Sequence, residues 1–268
     1  IKAFIACYNI AYLIGIYMTE FLQLLANEIP NIIVDEFLSP KQTAALIKAI
    51  TAQPEWCEMQ NIKEHDHLFG DVNKPKQMFS SQYMIASHGK SEDEYVAICA
   101  EYKKVWQRVV ESCQFDPFDL LVNYLNHTYD VHVKIAQKNG FTYCPLVARD
   151  LRTQVLAHAD FGLFDGPAWE IAKVTQQLAW NIYLTDPGEG GQTTVYDKVW
   201  DCKDVIDENS YGIQEFKQPV KTVFAAKPGR LVIFNNQNFH SIQASTQSRI
   251  AIGGMFGKTA AGNLIAWS

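Results

Sequence analysis

Residues 178–196 read LAWNIYLTDPGEGGQTTVY. An apolar run of strand length ends at Thr185, Pro187-Gly188 and Gly190-Gly191 break it, and the β-branched run Thr193–Tyr196 follows. The same pattern recurs from residue 130 onward, in VHVKI (131–135), TQVLAHAD (153–160), KTVFAA (221–226), RLVIFN (230–235) and RIAIGGMF (249–256). Pro228-Gly229 and Asn235-Asn236 supply further turns. Many short strands with Gly/Pro turns predict a mainly β fold, a sandwich or jelly roll, because each strand needs a second sheet to cover its apolar face.

The N-terminal third reads differently. Ile32-Ile33-Val34 predicts a short buried strand. Ser39 and Gln42, with Pro40 between them, form a capping box that predicts a helix to about residue 52. Ser91 and Glu94 repeat the box ahead of a longer helix, whose stripe Tyr95, Ile98, Tyr102, Val105 and Val109 has helical spacing. Asp116-Pro117 opens a third helix to about residue 127. No linker or composition break divides the chain, so residues 18–268 are expected to form one domain. Within it, 18–130 would give helical support and a lid, and 131–268 the jelly-roll core. Residues 1–17 (IKAFIACYNIAYLIGIY) are apolar but shorter than a bilayer span. They are read as a leader or upstream sequence outside the fold, with Met18 a natural start.

The composition narrows the function. Hydrophobic residues are 48% and charged residues 19% of the 268, as in a globular protein with a sizeable core. A formal charge of −6 argues against nucleic acid, since phosphate binding needs a basic face. No membrane partner is indicated. The six cysteines are dispersed with no CxxC pair. They read as buried free thiols of a reducing, cytoplasmic compartment rather than a disulfide or zinc framework.

His158-Ala159-Asp160 is the chain's one His-x-Asp. At a strand end, residues i and i+2 point to the same side and can reach one ion. His240 follows a strand and an Asn-rich turn in KPGRLVIFNNQNFHSIQAS (227–245) and supplies a third ligand. Two imidazoles and one carboxylate on one face of an octahedron suit Fe(II) and leave positions open. Arg249 comes nine residues after His240. Alone it reads as a structural ion pair. With the triad, its guanidinium fork is a match for the far carboxylate of 2-oxoglutarate.

The His158-x-Asp160, His240 and Arg249 set resembles the double-stranded β-helix 2-oxoglutarate/Fe(II) oxygenases. IIVDEFLSPKQ (32–42) is similar to the opening of prolyl-hydroxylase-like members. LAWNIYLTDPGEGGQTTVY, PGRLVIFNNQNFH, RIAIGG and the final IAWS resemble the cyanobacterial indole-alkaloid (hapalindole and welwitindolinone type) oxygenase-halogenase group, a likeness covering roughly residues 145–268. The resemblance implies a dioxygenase with iron(II) as cofactor and 2-oxoglutarate and O2 as co-substrates, which oxidises a small specialised or amino-acid-derived metabolite and releases succinate and CO2. Halogenases of that group carry a small residue where this chain has Asp160. The carboxylate therefore implies hydroxylation, desaturation or cyclisation, not halogenation.

Two other functions are compatible with this pattern. A prolyl-type hydroxylase of protein side chains usually has Lys in the role given to Arg249. A non-catalytic jelly-roll binding protein would carry the histidines incidentally. His65-Asp66-His67 has metal-like spacing within a polar, loop-like stretch and is read as solvated loop. His127 and His132 read as structural. Arg149 and Arg152 read as surface ion pairs first, with contact to an anionic substrate or co-substrate as the alternative. Trp180 and Tyr183 read as core packing first, with pocket lining as the alternative. Asn235 fits a turn or a hydrogen bond to the metal shell equally well.

Overall fold

The computed structural model describes residues 20–58, 75–87, 89–162, 168–201 and 216–268. Residues 1–17 and the His65-Asp66-His67 stretch lie outside the described residues.

The helices start where the capping residues place them. After a helical segment α1 (20–25), α2 (Pro40–Thr51) begins with Pro40 at its first position. Gln42 N donates to Ser39 Oγ (3.3 Å) while Ser39 N donates to Gln42 Oε1 (3.0 Å). Each bond satisfies an N–H that the first helical turn leaves without a partner. After α3 (Gln82–Ser87), α4 (Glu92–Cys113) repeats the box with Ser91 and Glu94. Its first turn carries Glu92, Asp93 and Glu94, which favour the positive end of the helix dipole. Asp116 caps α5 (Pro117–Tyr129) by accepting from Phe118 N (2.8 Å), and Asp130 ends it in the left-handed region. α5 runs two residues beyond the predicted 127.

The strands form two facing sheets. The larger has the order β1 (Asn31–Val34), β12 (Leu231–Phe234), β9 (Val174–Tyr183), β14 (Ile250–Thr259), β7 (Val147–Asp150), β3 (Lys76–Met78) and β2 (Cys57–Glu58). β15 (Leu264–Trp267) pairs with the second half of β14 and, in parallel, with β4 (Val133–Ile135). The smaller sheet is β11 (Val220–Phe224), β10 (Thr193–Val199), β13 (Asn238–Ile242) and β8 (Val155–His158). A hairpin of β5 (Gln137–Lys138) and β6 (Phe141–Thr142) lies apart. The jelly-roll expectation holds. The N-terminal third contributes more than support, because β1, β2 and β3 all join the larger sheet.

Strand alternation separates two cores. Leu178, Trp180, Ile182, Leu231, Ile233, Ile252 and Phe256 face the helices and pack with Leu46, Tyr95, Val109 and Leu121. Trp180 sits between Phe118 and Phe256, with ring centroids 6.0 Å from each. On the other face Ala179, Tyr183, Val232, Phe234 and Ala251 pack against Val195 and Phe224 of the smaller sheet. Phe224 and Phe234 meet across the two sheets at 5.5 Å. Gly190, in the turn joining β9 to β10, has φ 82° and needs glycine twice over, since a Cβ there would lie 2.0 Å from Ala244 O.

Cys99, Cys113 and Cys144 are buried free thiols, while Cys57 is free but exposed. Burial pushes the Cys144 thiol up to about 12 and Cys99 up to about 11, so both stay protonated and inert. Among the described residues no helix is long and apolar enough to cross a membrane.

Candidate metal centre

β8 and β13 are antiparallel neighbours in a register that sets His158 directly opposite His240. Directly opposed residues point their side chains to the same face, and the two rings lie 4.3 Å apart between centroids. Asp160 is two residues beyond His158. Its N–H donates to Asn236 O (3.0 Å), which ties it to the turn between β12 and β13. His240 Nε2 lies 3.4 Å from Asp160 Oδ2, and one ligand atom from each of the three residues falls within 4.8 Å of the others. His240 is buried while His158 and Asp160 are partly open, so the cluster has one accessible side.

Both imidazoles are oriented by their own strands. His158 Nδ1 is 2.7 Å from Leu156 O and His240 Nδ1 is 3.0 Å from Asn238 O. A carbonyl only accepts, so each Nδ1 carries the proton and each Nε2 presents a lone pair to the cluster. Burial, helped by the neighbouring His240, lowers the His158 imidazole to about 4, against the pull of Asp160 and the Leu156 carbonyl. A neutral imidazole is the form that ligates a metal.

Two amides hold the carboxylate in place. Asn236 Nδ2 donates to Asp160 Oδ2 (3.4 Å), and Gln177 Nε2 on β9 donates to Asp160 O (3.3 Å). Gln177 Oε1 also accepts from Gly162 N (2.7 Å), which clamps the backbone on both sides of residue 161. The sequence reading raised Asn235 for such a part. Asn235 instead shapes the turn, accepting from Gln237 N (3.1 Å), and its neighbour reaches the metal cluster. Gln177 was missed because it lies far from His158 in sequence and only the facing of the two sheets brings them together.

Arg249 lies just ahead of β14 and is 4% exposed. Its Nε donates to Gly191 O (2.9 Å) and its Nη2 to Thr193 Oγ1 (3.1 Å) and Tyr183 Oη (3.3 Å), with Cζ 5.0 Å above the Tyr183 ring. Every one of these acceptors is neutral, and among the described residues the guanidinium has no ion pair. The surface ion-pair reading holds for Arg152, which is half exposed and 3.3 Å from Asp150. It fails for Arg149, whose Nε is buried without a hydrogen-bond partner. The reason is strand alternation: Arg149 pairs with Ala251, which faces the interior between the sheets. Tyr183, read as packing, stacks on Arg249 as well.

The donor set fits the group that the sequence pattern implies. Two imidazole nitrogens and a carboxylate oxygen, aimed at one point with an open side, suit Fe(II). A buried guanidinium with no carboxylate partner among the described residues is suited to an anionic ligand.

The sequence profile described as "Carrier-protein-independent halogenase WelO5" matches residues 17–265. The chain belongs to the WelO5 family. This agrees with the resemblance read from LAWNIYLTDPGEGGQTTVY and PGRLVIFNNQNFH, and extends it to the N-terminal third. Among characterised relatives, the leucinostatins biosynthesis cluster protein S of Purpureocillium lilacinum is 36% identical over 124 residues, 42% of this chain and 49% of that protein. The L-gamma-glutamyl-L-propargylglycine hydroxylase of Streptantibioticus cattleyicolor is 32% identical over 165 residues, 57% of this chain and 59% of that protein. The matches thus span about half the length of these relatives. The fold is similar to that of an N-substituted L-amino acid dioxygenase from Burkholderia ambifaria, with TM-score 0.57, 16% identity, and 92% and 91% of the two chains covered. The same enzyme in complex with alpha-KG gives TM-score 0.54 at 15% identity, with 92% and 90% covered.

Proposed function

We propose that this WelO5-family protein is an iron(II)- and 2-oxoglutarate-dependent oxygenase that oxidises an unactivated C–H bond of a small, amino-acid-derived metabolite. The observation that carries this reading is the cluster of His158, Asp160 and His240 on one face, with the unneutralised Arg249 guanidinium buried in the interior between the two sheets. His158, Asp160 and His240 would hold the metal, and Arg249 the distal carboxylate of 2-oxoglutarate. Iron with 2-oxoglutarate and O2 supplies the oxidising power: the substrate C–H becomes C–OH while 2-oxoglutarate becomes succinate and CO2.

The protein's own part is position and dryness. The Leu156 and Asn238 carbonyls fix both imidazoles with Nε2 forward. Asn236 and Gln177 hold Asp160 in place. Phe234, whose ring centroid lies 5.2 Å from that of His240, keeps the inner side of the cluster apolar. Asp160 fills the position where the related halogenases have a small residue, which supports oxygenation over halogenation. The likeness to a γ-glutamyl amino acid hydroxylase supports a small amino-acid-derived substrate over a protein side chain.

The test is anaerobic titration of metal-free protein with Fe(II) and 2-oxoglutarate, following the visible charge-transfer band of the chelate. The band should form in the wild type, vanish in His158→Ala, and need far more 2-oxoglutarate in Arg249→Ala. A correctly folded wild type that gives no band would return the protein to the class of jelly-roll binding proteins.

A further inference from the structure

The larger sheet carries a second, partly buried cation that the reaction as described leaves unused. Gln77 on β3, Arg149 on β7, Ala251 on β14 and Tyr183 on β9 are consecutive cross-strand partners in one row. Partners in a row share a face. Ala251 and Tyr183 belong to the apolar cluster between the two sheets, so Gln77 and Arg149 point into that same space. The Arg149 charge is near enough to act on both Asp160 and His158.

Arg149 Nε and Gln77 Oε1 are both buried without a hydrogen-bond partner, and Gln77 is 7% exposed overall. Among the described residues Arg149 makes no ion pair. Arg249, whose backbone O accepts from Leu151 N (3.3 Å), is its diagonal neighbour across the β7–β14 pairing. Such neighbours are roughly 7–8 Å apart. Both cations are thus carried on one interior face of the larger sheet, and neither makes an ion pair among the described residues. A structural arginine would have been given a partner, as Arg230 is by Asp35 at 2.6 Å.

We propose that Arg149 and Gln77 form a second carboxylate-binding position in the pocket, separate from Arg249. The proposal rests on the oxygenase reading for what shares the pocket. With iron(II) bound, the metal carries two positive charges, each arginine adds one, and Asp160 removes one. A 2-oxoglutarate dianion leaves a single positive charge, which a substrate carboxylate would cancel. The carboxylate can come from the substrate, as that balance favours, or from the iron-proximal end of 2-oxoglutarate. Gln77 stands beside the guanidinium as a neutral donor that orients the ligand without adding charge.

The experiment compares wild type with Arg149→Met, Arg149→Lys and Gln77→Glu, the last setting a carboxylate of the protein's own beside the guanidinium. Removing a charge whose Nε is buried without a hydrogen-bond partner leaves the metal-free Met variant at least as stable as wild type, which controls for folding. Affinity for 2-oxoglutarate is read from the Fe(II) chelate band. Binding of γ-glutamyl and N-acetyl amino acids, each against its carboxamide, is read from their shift of that band and from thermal upshift of metal-free protein. If the pair holds the substrate, 2-oxoglutarate affinity stays within about twofold throughout, and the acids act on wild type and Arg149→Lys but not on Arg149→Met or Gln77→Glu. If it holds the co-substrate, the Kd for 2-oxoglutarate rises about tenfold or more in Arg149→Met and Gln77→Glu, with Arg149→Lys between. Met and Glu variants that match wild type in both readouts overturn the proposal. A wild type without the band, yet with an acid-specific upshift lost in Arg149→Met, would sink the oxygenase reading and leave the carboxylate position standing.

Discussion

Replacing Arg249 with Met should separate co-substrate binding from metal binding. The guanidinium fork offers a carboxylate two charge-assisted hydrogen bonds, each contributing about 1.5–3 kcal/mol net. Taking the low end for both, the loss is about 3 kcal/mol, or about 100-fold in Kd for 2-oxoglutarate. Arg249→Lys keeps the charge but not the fork, so it should fall between. Of the three expected iron ligands, His158 and His240 sit on β8 and β13 of the smaller sheet and Asp160 just beyond β8, whereas Arg249 leads into β14 of the larger one. Iron affinity without 2-oxoglutarate should therefore change little. Met also leaves Gly191 O and Thr193 Oγ1 without their donor. Each buried orphan costs about 1–3 kcal/mol, offset in part by removal of the charge, so a modest fall in melting temperature is expected. The assay is the anaerobic chelate band titrated with 2-oxoglutarate at saturating iron, alongside iron affinity measured alone. A Met variant that binds 2-oxoglutarate within about threefold of wild type would refute the role given to Arg249.

Asn236→Leu removes the donor to Asp160 Oδ2 and should weaken iron binding by about 10–100-fold, measured by competition with a chelator, while 2-oxoglutarate affinity per bound iron is kept. At Glu92, burial raises the carboxyl pKa but is outweighed by Glu170 N–H, Lys138 and Tyr143, which leave it below its usual 4.5. A depressed folded pKa means stability that is present above about 4.5 and lost as the pH falls below it. Glu92→Gln should thus lower the melting temperature at neutral pH and converge on wild type in acid, as a series of thermal melts against pH would show. Trp180→Ala empties a fully buried site between Phe118 and Phe256 and should cost about 3–5 kcal/mol in denaturant unfolding.

Local chemistry was legible wherever a short stretch carries its own signal. The Ser39/Gln42 and Ser91/Glu94 boxes start α2 and α4 because capping needs only four consecutive residues. Most apolar runs after residue 130 are strands, since period-two burial is written in the run itself. The site was partly legible for the same reason, because His158 and Asp160 lie two apart at a strand end. Short edge strands were not. β2 and β3 have two and three residues and take their form from pairing, β3 with β7 and β2 with β3, which no local pattern announces. That Asn235 takes the turn role and Asn236 reaches Asp160 was not legible, because a turn's direction depends on where the next strand pairs.

By itself, the sequence determined which chemistry was available. It offers two imidazoles and a carboxylate at strand-compatible spacing, a later arginine, capped helices and strand-length apolar runs. Those are properties of residue type and of neighbours along the chain. Only the tertiary structure decided which polar groups share one interior. The register of β13 on β8 sets His240 opposite His158, and the facing of the sheets brings Gln177 to Asp160. The pairing of β7 with β14 turns Arg149 inward beside Arg249. These contacts join residues far apart in the chain, and a one-residue shift in strand register would turn every one of those side chains to the opposite face.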